Sequence, residues 1–213
     1  MTRLYLVRHG QTAWNKQERF RGRADVPLDA VGLAEARALA QAYRETRFDA
    51  LYASPLSRCQ QTLEPLARIL QLEVASVEGL ADIDFGEWQG RPKTEIREQD
   101  AERYEQWMSS PEQVTFPNGE SLAQVRQRAL AAVGRIHSEQ PDGTVAACTH
   151  RVVCKVLVCG LLGVPDALFW RIRQDATCVN VFEINNHGVA TLVSLNDTHH
   201  AREVAGSGTL ADF

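Results

Sequence analysis

Leu4-Tyr5-Leu6-Val7-Arg8-His9-Gly10-Gln11-Thr12-Ala13-Trp14-Asn15 opens the chain with a short apolar run that stops at a cation, an imidazole and a glycine. A run over about residues 3 to 7 suits a buried strand of a parallel sheet, whose two faces are both covered. The Arg-His-Gly exit then sets charged and flexible groups at the carboxyl end of that strand, the edge where open α/β sheets bind ligands. Alone, the triplet fits equally a polar turn that happens to contain a histidine. The rest of the chain decides between the two.

Working outward, strand-like runs alternate with helical patterns, which marks a three-layer α/β domain with a mostly parallel central sheet. Helical spacing over residues 32–46 is followed by a strand at Ala50-Leu51-Tyr52-Ala53, ended by Ser54-Pro55, and then by a helix over 57–70. Residues 120–138 form a helix with Leu122, Val125, Ala129, Ala132, Val133 and Ile136 on one face. A strand over 144–148 leads to His150 in the next turn and a helix over 152–162. Two further runs, 178–184 and 189–195, are joined by Asn185-Asn186-His187-Gly188 and predict a terminal hairpin with an antiparallel edge strand. Residues 83–118 are polar, aromatic and poorly periodic apart from a helix near 100–108, so they read as a helical and loop insertion over the active site. The expected organisation is one domain over 1–198 followed by a flexible tail, 199–213.

Composition narrows the class. With 213 residues, 44% of them hydrophobic, the chain can bury a full core, and its apolar runs are too short to span a membrane. A formal net charge of −4 supplies no global basic field for nucleic acid or anionic membrane, so attraction for an anion has to be built locally from a few arginines. The first residues lack the pattern of a signal peptide, from which a cytoplasmic location is expected. Cys59, Cys148, Cys154, Cys159 and Cys178 show no Cys-x-x-Cys pairing and read as small core residues. Cys59 adjoins Arg58, but spacing places no histidine base beside it for nucleophilic work.

Three strand-to-helix junctions each carry a basic or imidazole side chain: Arg8-His9, Arg58 in Ser54-Pro55-Leu56-Ser57-Arg58, and His150. In a parallel sheet these junctions share one edge. Converging there, they would make an electropositive pocket for one phosphoryl group, assisted by helix N-terminal amides and the planar fork of arginine. A metal held by His9 and His150 lacks an adjacent carboxylate at ligand spacing, and no metal or cofactor is expected. His137, His187 and His199-His200 are given no catalytic role.

Taken in order, Leu6-Val7-Arg8-His9-Gly10-Gln11-Thr12 with Asn15, Gly22 and Asp25-Val26-Pro27-Leu28 with Gly32, Ser54 to Arg58 with Gln61-Thr62, Phe85 to Gly90, Gly119-Glu120-Ser121 and Thr149-His150 resemble the histidine phosphatase superfamily, in its phosphoglycerate-mutase-like branch, over nearly the whole chain. The resemblance implies that His9 is a nucleophile that carries the phosphoryl group as a covalent phosphohistidine before water removes it. Arg8, Arg58 and His150 would hold the equatorial oxygens, with His150 cationic and His9 neutral through a backbone carbonyl that fixes its tautomer. The family's acidic residue ahead of the Phe-Gly-x-Trp segment corresponds to Asp82, where relatives more often have glutamate. Asp82 is therefore the expected general acid and later base, with Asp84 and Glu87 as substitutes and loop capping as the other role open to it. Asn15, Arg21 and Arg151 are expected at the substrate. Arg21 either reads a second anionic group or is a solvated loop residue, and Arg151, where relatives have glycine, either charges the pocket rim or pairs with an acid elsewhere.

The function implied is a metal-independent phosphomonoesterase for small phosphorylated metabolites. Its rival is a cofactor-dependent phosphoglycerate mutase, disfavoured because the stretch from Trp88 to Gly119 lacks the longer insertion that closes over a sugar acid. A phospho-ligand binding protein with impaired turnover is the alternative from another class, motivated by Asp82. Trp88, Tyr104, Trp107 and Phe116 offer stacking surface and Arg91, Lys93 and Arg97 offer charge, so α-ribazole phosphate, phosphoserine, sugar phosphates and phosphoglycerate all stay open as substrates. A homodimer is compatible with the resemblance.

Overall fold

A computed structural model describes residues 1–204. Strands β1 (Thr2–Arg8), β2 (Ala50–Ala53), β3 (Val74–Ser76), β4 (Thr144–Thr149), β5 (Val179–Ile184) and β6 (Ala190–Asp197) assemble into one sheet in the order β3-β2-β4-β1-β5-β6. The pairs β1–β4, β2–β4 and β2–β3 are parallel, and β5 and β6 form the antiparallel hairpin at one side. The expected mixed, mostly parallel sheet is present. Edge strand β3 was not anticipated, because three residues are too few for alternation to be read.

The helices are α1 (Ala13–Lys16), α2 (Ala30–Tyr43), α3 (Ser57–Leu70), α4 (Lys93–Gln99), α5 (Ala101–Ser109), α6 (Leu122–Glu139) and α7 (Arg151–Leu162). Alternation along β1 sends Leu4 and Leu6 into a cluster with Val125, Ile136, Val153 and Leu157 of α6 and α7. Val7 turns the other way, onto Leu39, Ala40, Leu63 and Leu66 of α2 and α3. Each fully buried Leu or Val stabilises the fold by about 1.5–3 kcal/mol, so apolar faces on both sides of the sheet hold the three layers together. Asp29 caps α2 by accepting from the amides of Val31 and Gly32, and Ser121 with Gln124 caps α6.

Two expectations fail here. Trp88, Tyr104, Trp107 and Phe116 of the insertion are buried rather than offered to a ligand. Trp88, Trp107 and Phe116 stack edge to face among themselves and with Phe20 and Phe85, at centroid separations such as 4.9 Å for Phe85–Phe116 and 5.0 Å for Trp88–Phe116, and Tyr104 lies tilted against Trp88, because an insertion of this length needs apolar burial of its own. Arg91 is likewise drawn into an ion pair with Glu95 at 2.8 Å. The expected tail also starts later than residue 199. A turn at His199–Ala201 packs on α2, with Tyr43 next to both His199 and His200 and with Ala201 buried. Residues 205–213, the remainder of that tail, lie outside the described residues. Among the described residues, no helix is long and apolar enough to cross a membrane.

Candidate active site

Sheet register brings the sequence-predicted groups together. Arg8 lies opposite Thr149 and Ala53 opposite Cys148, so β1, β2 and β4 end level with one another. The chain leaving β1 is then pinned from three elements: His9 N–H donates to the Thr149 carbonyl at 2.9 Å, Gly10 N–H to Thr62 Oγ1 at 3.0 Å, and Gln11 N–H to Glu35 Oε2 at 2.8 Å. Gly32 lets α2 touch this loop, since a Cβ there would sit 2.1 Å from the Gln11 carbonyl oxygen.

His9 is fully buried. Its Nδ1 lies 2.7 Å from the Gly10 carbonyl oxygen, which accepts a hydrogen bond from Nδ1–H and so fixes the tautomer. Nε2 keeps its lone pair and is a buried atom with no hydrogen-bond partner. Burial above all, and then Arg58, Arg21 and Arg8, push the imidazole pKa well below its ordinary value, against the opposing pull of the Gly10 bond. A neutral, desolvated nitrogen in an arginine-lined site is suited to attack an anionic electrophile.

Arg58 is completely buried at the start of α3, whose first amide is held by Asp25 Oδ1 at 2.8 Å. It donates to the carbonyls of Ala24 and Gly22 at 2.8 and 2.9 Å, to Asp82 Oδ2 at 3.2 Å and, through Nε, to His150 Nδ1 at 3.1 Å. Gly22 can turn its carbonyl to this guanidinium because it adopts a φ of 51°, in the left-handed region. Since Nδ1 of His150 accepts from Arg58, its proton is on Nε2, which donates to Ser54 Oγ at 2.7 Å. His150 is thus neutral, contrary to the cation expected, and burial followed by Arg58 holds its pKa well down. The His9 and His150 rings are 5.2 Å apart between centroids.

Asp82 is buried, accepts from Arg58 and from the Ile83 amide at 3.0 Å, and lies 3.6 Å from His150 Nδ1. Its two substitutes are engaged elsewhere: Asp84 Oδ1 accepts from the Gly86 amide and Glu87 Oε1 from Asn118. Arg8 is buried and donates through Nη1 to the Gln174 carbonyl, while its Nε has no partner. Arg21 is 7% exposed, with Nε and Nη1 unpartnered. Burial first, and then Arg58, Arg8 and Arg151, lower its pKa well below the ordinary guanidinium value. Arg151 is buried at the start of α7 and lines a recess with Arg21 and Asp82. Asn15 has a capping role. Its Oδ1 accepts from both the amide and the hydroxyl of Thr12 at 2.9 Å and closes the first turn of α1.

Several supporting residues have no signal in local sequence. Arg128 of α6 donates to the carbonyls of Gly79, Ala81 and Asp82 at 3.0, 2.6 and 3.0 Å and pairs with Glu120 at 2.7 Å, clamping the segment that carries Asp82. Gln174, which receives Arg8, is locked by reciprocal amide bonds to Asn180 at 2.8 Å. Cys59 turns out to have an imidazole beside it, with His150 Nε2 at 3.5 Å from Sγ. The five cysteines are free and buried. Among the described residues, no three or more His, Cys, Asp or Glu side chains are grouped to hold a metal ion.

A model of the histidine phosphatase superfamily, branch 1, matches residues 4–198. Phosphoserine phosphatase 1 of Hydrogenobacter thermophilus is 32% identical over 203 residues, 95% of this chain and 96% of its own length. Adenosylcobalamin/alpha-ribazole phosphatase of Escherichia coli is 31% identical over 194 residues, 91% of this chain and 95% of its own. Among solved structures, Bacillus stearothermophilus YhfR superposes with a TM-score of 0.90 at 30% identity, covering 94% of this chain and all of that one. Family match, relatives and sheet topology agree, and the chain belongs to the histidine phosphatase superfamily, branch 1.

Proposed function

We propose that the chain is a metal-independent phosphomonoesterase acting on small phosphorylated metabolites through a phosphohistidine on His9. The observation that carries this reading is His9 Nε2, buried and unpartnered on a ring whose tautomer the Gly10 carbonyl fixes and whose pKa burial and the neighbouring arginines lower. Nε2 attacks phosphorus in line, the P–N bond forms as the P–O bond to the alcohol breaks, and protonated Asp82 gives its proton to the departing oxygen. Water, deprotonated by the Asp82 carboxylate, then cleaves P–N and returns phosphate and free His9. Arg8, Arg58 and His150 stabilise the equatorial oxygens, His150 by turning its Nε2 proton from Ser54 Oγ to them. For Arg58 this requires an exchange, because its Nη2 already serves Gly22 and Asp82. A phosphoryl oxygen that replaces Asp82 on Arg58 releases the carboxyl group to work on the leaving oxygen.

Buried, unpaired cysteines fit a reducing cytoplasm, and the negative net charge fits an enzyme without nucleic-acid or membrane partners. Light scattering tests whether two copies of the chain associate. The test of function is phosphate release from p-nitrophenyl phosphate in EDTA, with His9→Ala as control. Turnover is expected to survive chelation and to disappear in the variant. Turnover lost to EDTA refutes metal independence, and turnover retained by His9→Ala refutes the nucleophile.

A further inference from the structure

We propose that Asn180 and Asn196 are positioning residues for the reaction, a pair of amides that sets the loop 174–178 behind Arg8 and so fixes where that guanidinium meets a phosphoryl oxygen. Their role rests on the phosphatase reading and on the task given there to Arg8. Three bonds tie this loop to the end of β1. The Gln174 carbonyl accepts from Arg8 Nη1, the Cys178 carbonyl accepts from the Arg8 amide at 3.1 Å, and the Thr177 amide donates to the His9 carbonyl at 3.4 Å. With Nη1 engaged, Arg8 keeps Nε, buried and without a partner, for the ligand. A shift of the loop is therefore a shift of Arg8.

The loop is strained. Thr177 is a β-branched residue at φ 51°, in the left-handed region that such side chains avoid, and a backbone of that kind persists only where its surroundings impose it. Two asparagines of the terminal hairpin do so. Asn180 of β5 is fully buried on the face whose other members, Phe182 and Ile184, are core residues. All of its polar capacity is used: Nδ2 donates to the Leu6 carbonyl at 3.2 Å and to Gln174 Oε1 at 2.8 Å, while Oδ1 accepts from Gln174 Nε2 at 2.8 Å and from the Asn196 amide at 2.9 Å. Asn196 of β6 holds the next residue of the loop, accepting from the Asp175 amide at 2.7 Å and donating to Asp175 Oδ2 at 2.8 Å.

Two features separate this network from ordinary core packing. A buried amide carries a desolvation cost that an apolar side chain at the same place avoids, whereas a polar network with every member satisfied specifies one arrangement. The hairpin is also irregular at this point: the β5–β6 register shifts across Asn180, between Val179 and Val181, and again between Val181 and Phe182, and Asn196 adopts a φ of 54°. Irregularities of this kind re-aim side chains beside active sites, and here they bring Asn196 onto both Asn180 and Asp175.

The test reads kcat/KM for p-nitrophenyl phosphate, with thermal unfolding to establish that each variant is folded at the assay temperature. Asn180→Val matches the strand neighbours Val179 and Val181, and Asn196→Gly suits the left-handed backbone while removing only a side chain. Each should lower kcat/KM by about 10- to 100-fold, the scale of a misplacement of up to about 1 Å at a reacting group. In an Arg8→Gln background the same changes should cost at least about threefold less, because the group they position is gone, whereas a merely structural role costs as much with Arg8 as without it. The Kd of inorganic phosphate gives the same comparison where Arg8→Gln turns over too slowly to assay. If Asn180→Val fails to fold, Asn196→Gly decides alone. A folded Asn196→Gly within about threefold of wild type, or a loss in the Arg8→Gln background within about threefold of the loss in wild type, overturns the inference and leaves the phosphatase intact. Absence of His9-dependent turnover from the unmodified protein overturns the phosphatase reading and the inference with it.

Discussion

Gly32→Ala puts a methyl group 2.1 Å from the Gln11 carbonyl oxygen and 2.8 Å from its amide nitrogen. Ordinary contact begins at 3.4 Å, so helix and loop must separate by about 1.3 Å. Neither side yields easily. Leu39 and Ala40 anchor α2 in the core, while the loop is held by Glu35, by Thr62, and by Asp29, which donates its amide to the Gln11 carbonyl at 3.0 Å and accepts from the Gln11 side chain at 2.9 Å. Overpacking of this kind costs about 1–3 kcal/mol, which for a chain of this size lowers Tm by about 2–12 °C. Gln11 is two residues from His9, and a misplacement near 1 Å at a reacting group costs about 100-fold in rate. Thermal unfolding and p-nitrophenyl phosphate turnover measure the two effects separately. Gly134→Ala is the control: this glycine is exposed in α6 with nothing within 4 Å of the added carbon, and the change should stabilise by up to about 1 kcal/mol without touching rate. A Gly32→Ala protein with wild-type Tm and a kcat within about threefold of normal refutes the packing argument.

Asp82→Ala should slow an alkyl phosphate far more than an aryl phosphate, whose leaving group needs little protonation, and Arg128→Gln should produce a weaker version of the same split by loosening the backbone that carries Asp82. Equal losses on both substrates would assign the acid elsewhere. Stability should also fall as pH drops. His9 and His150 both have folded-state pKa values held well below the ordinary 6.5, chiefly by burial, so the unfolded chain binds more protons below that pH. Their contribution is complete above about pH 6.5 and is lost at up to about 1.4 kcal/mol per pH unit for each histidine below it. Urea midpoints between pH 7.5 and 5.5 measure this; His9→Ala should flatten the slope, and a midpoint that holds or rises on acidification contradicts the assignment of neutral imidazoles.

Much of the site was legible because it depends on chain position relative to strands. Arg8, His9, Arg58 and His150 all follow apolar runs, and parallel pairing of β1, β2 and β4 forces whatever follows those runs to one edge. Residues whose role depends on a partner far along the chain were opaque. The Arg128 clamp on Gly79 and Ala81 joins positions nearly 50 residues apart, and Gln174 receives Arg8 across 166. Asn15 has a local role besides, since its carbonyl oxygen is taken up by Thr12 as a cap. The insertion aromatics misled because composition says that Trp and Phe contact something, while burial decides whether that is ligand or core.

Local order in the sequence thus determined the alternation of strands and helices, the family motifs and the chemical types gathered at the sheet edge, because hydrophobic period, caps and glycine turns act over a few residues. Tertiary structure decided protonation and occupancy. His150 is neutral because it is buried and because Arg58, 92 residues away, points a donor at its Nδ1. Arg21 keeps Nε and Nη1 buried without an acceptor, and desolvation of that kind is a property of the packed molecule that no stretch of sequence carries.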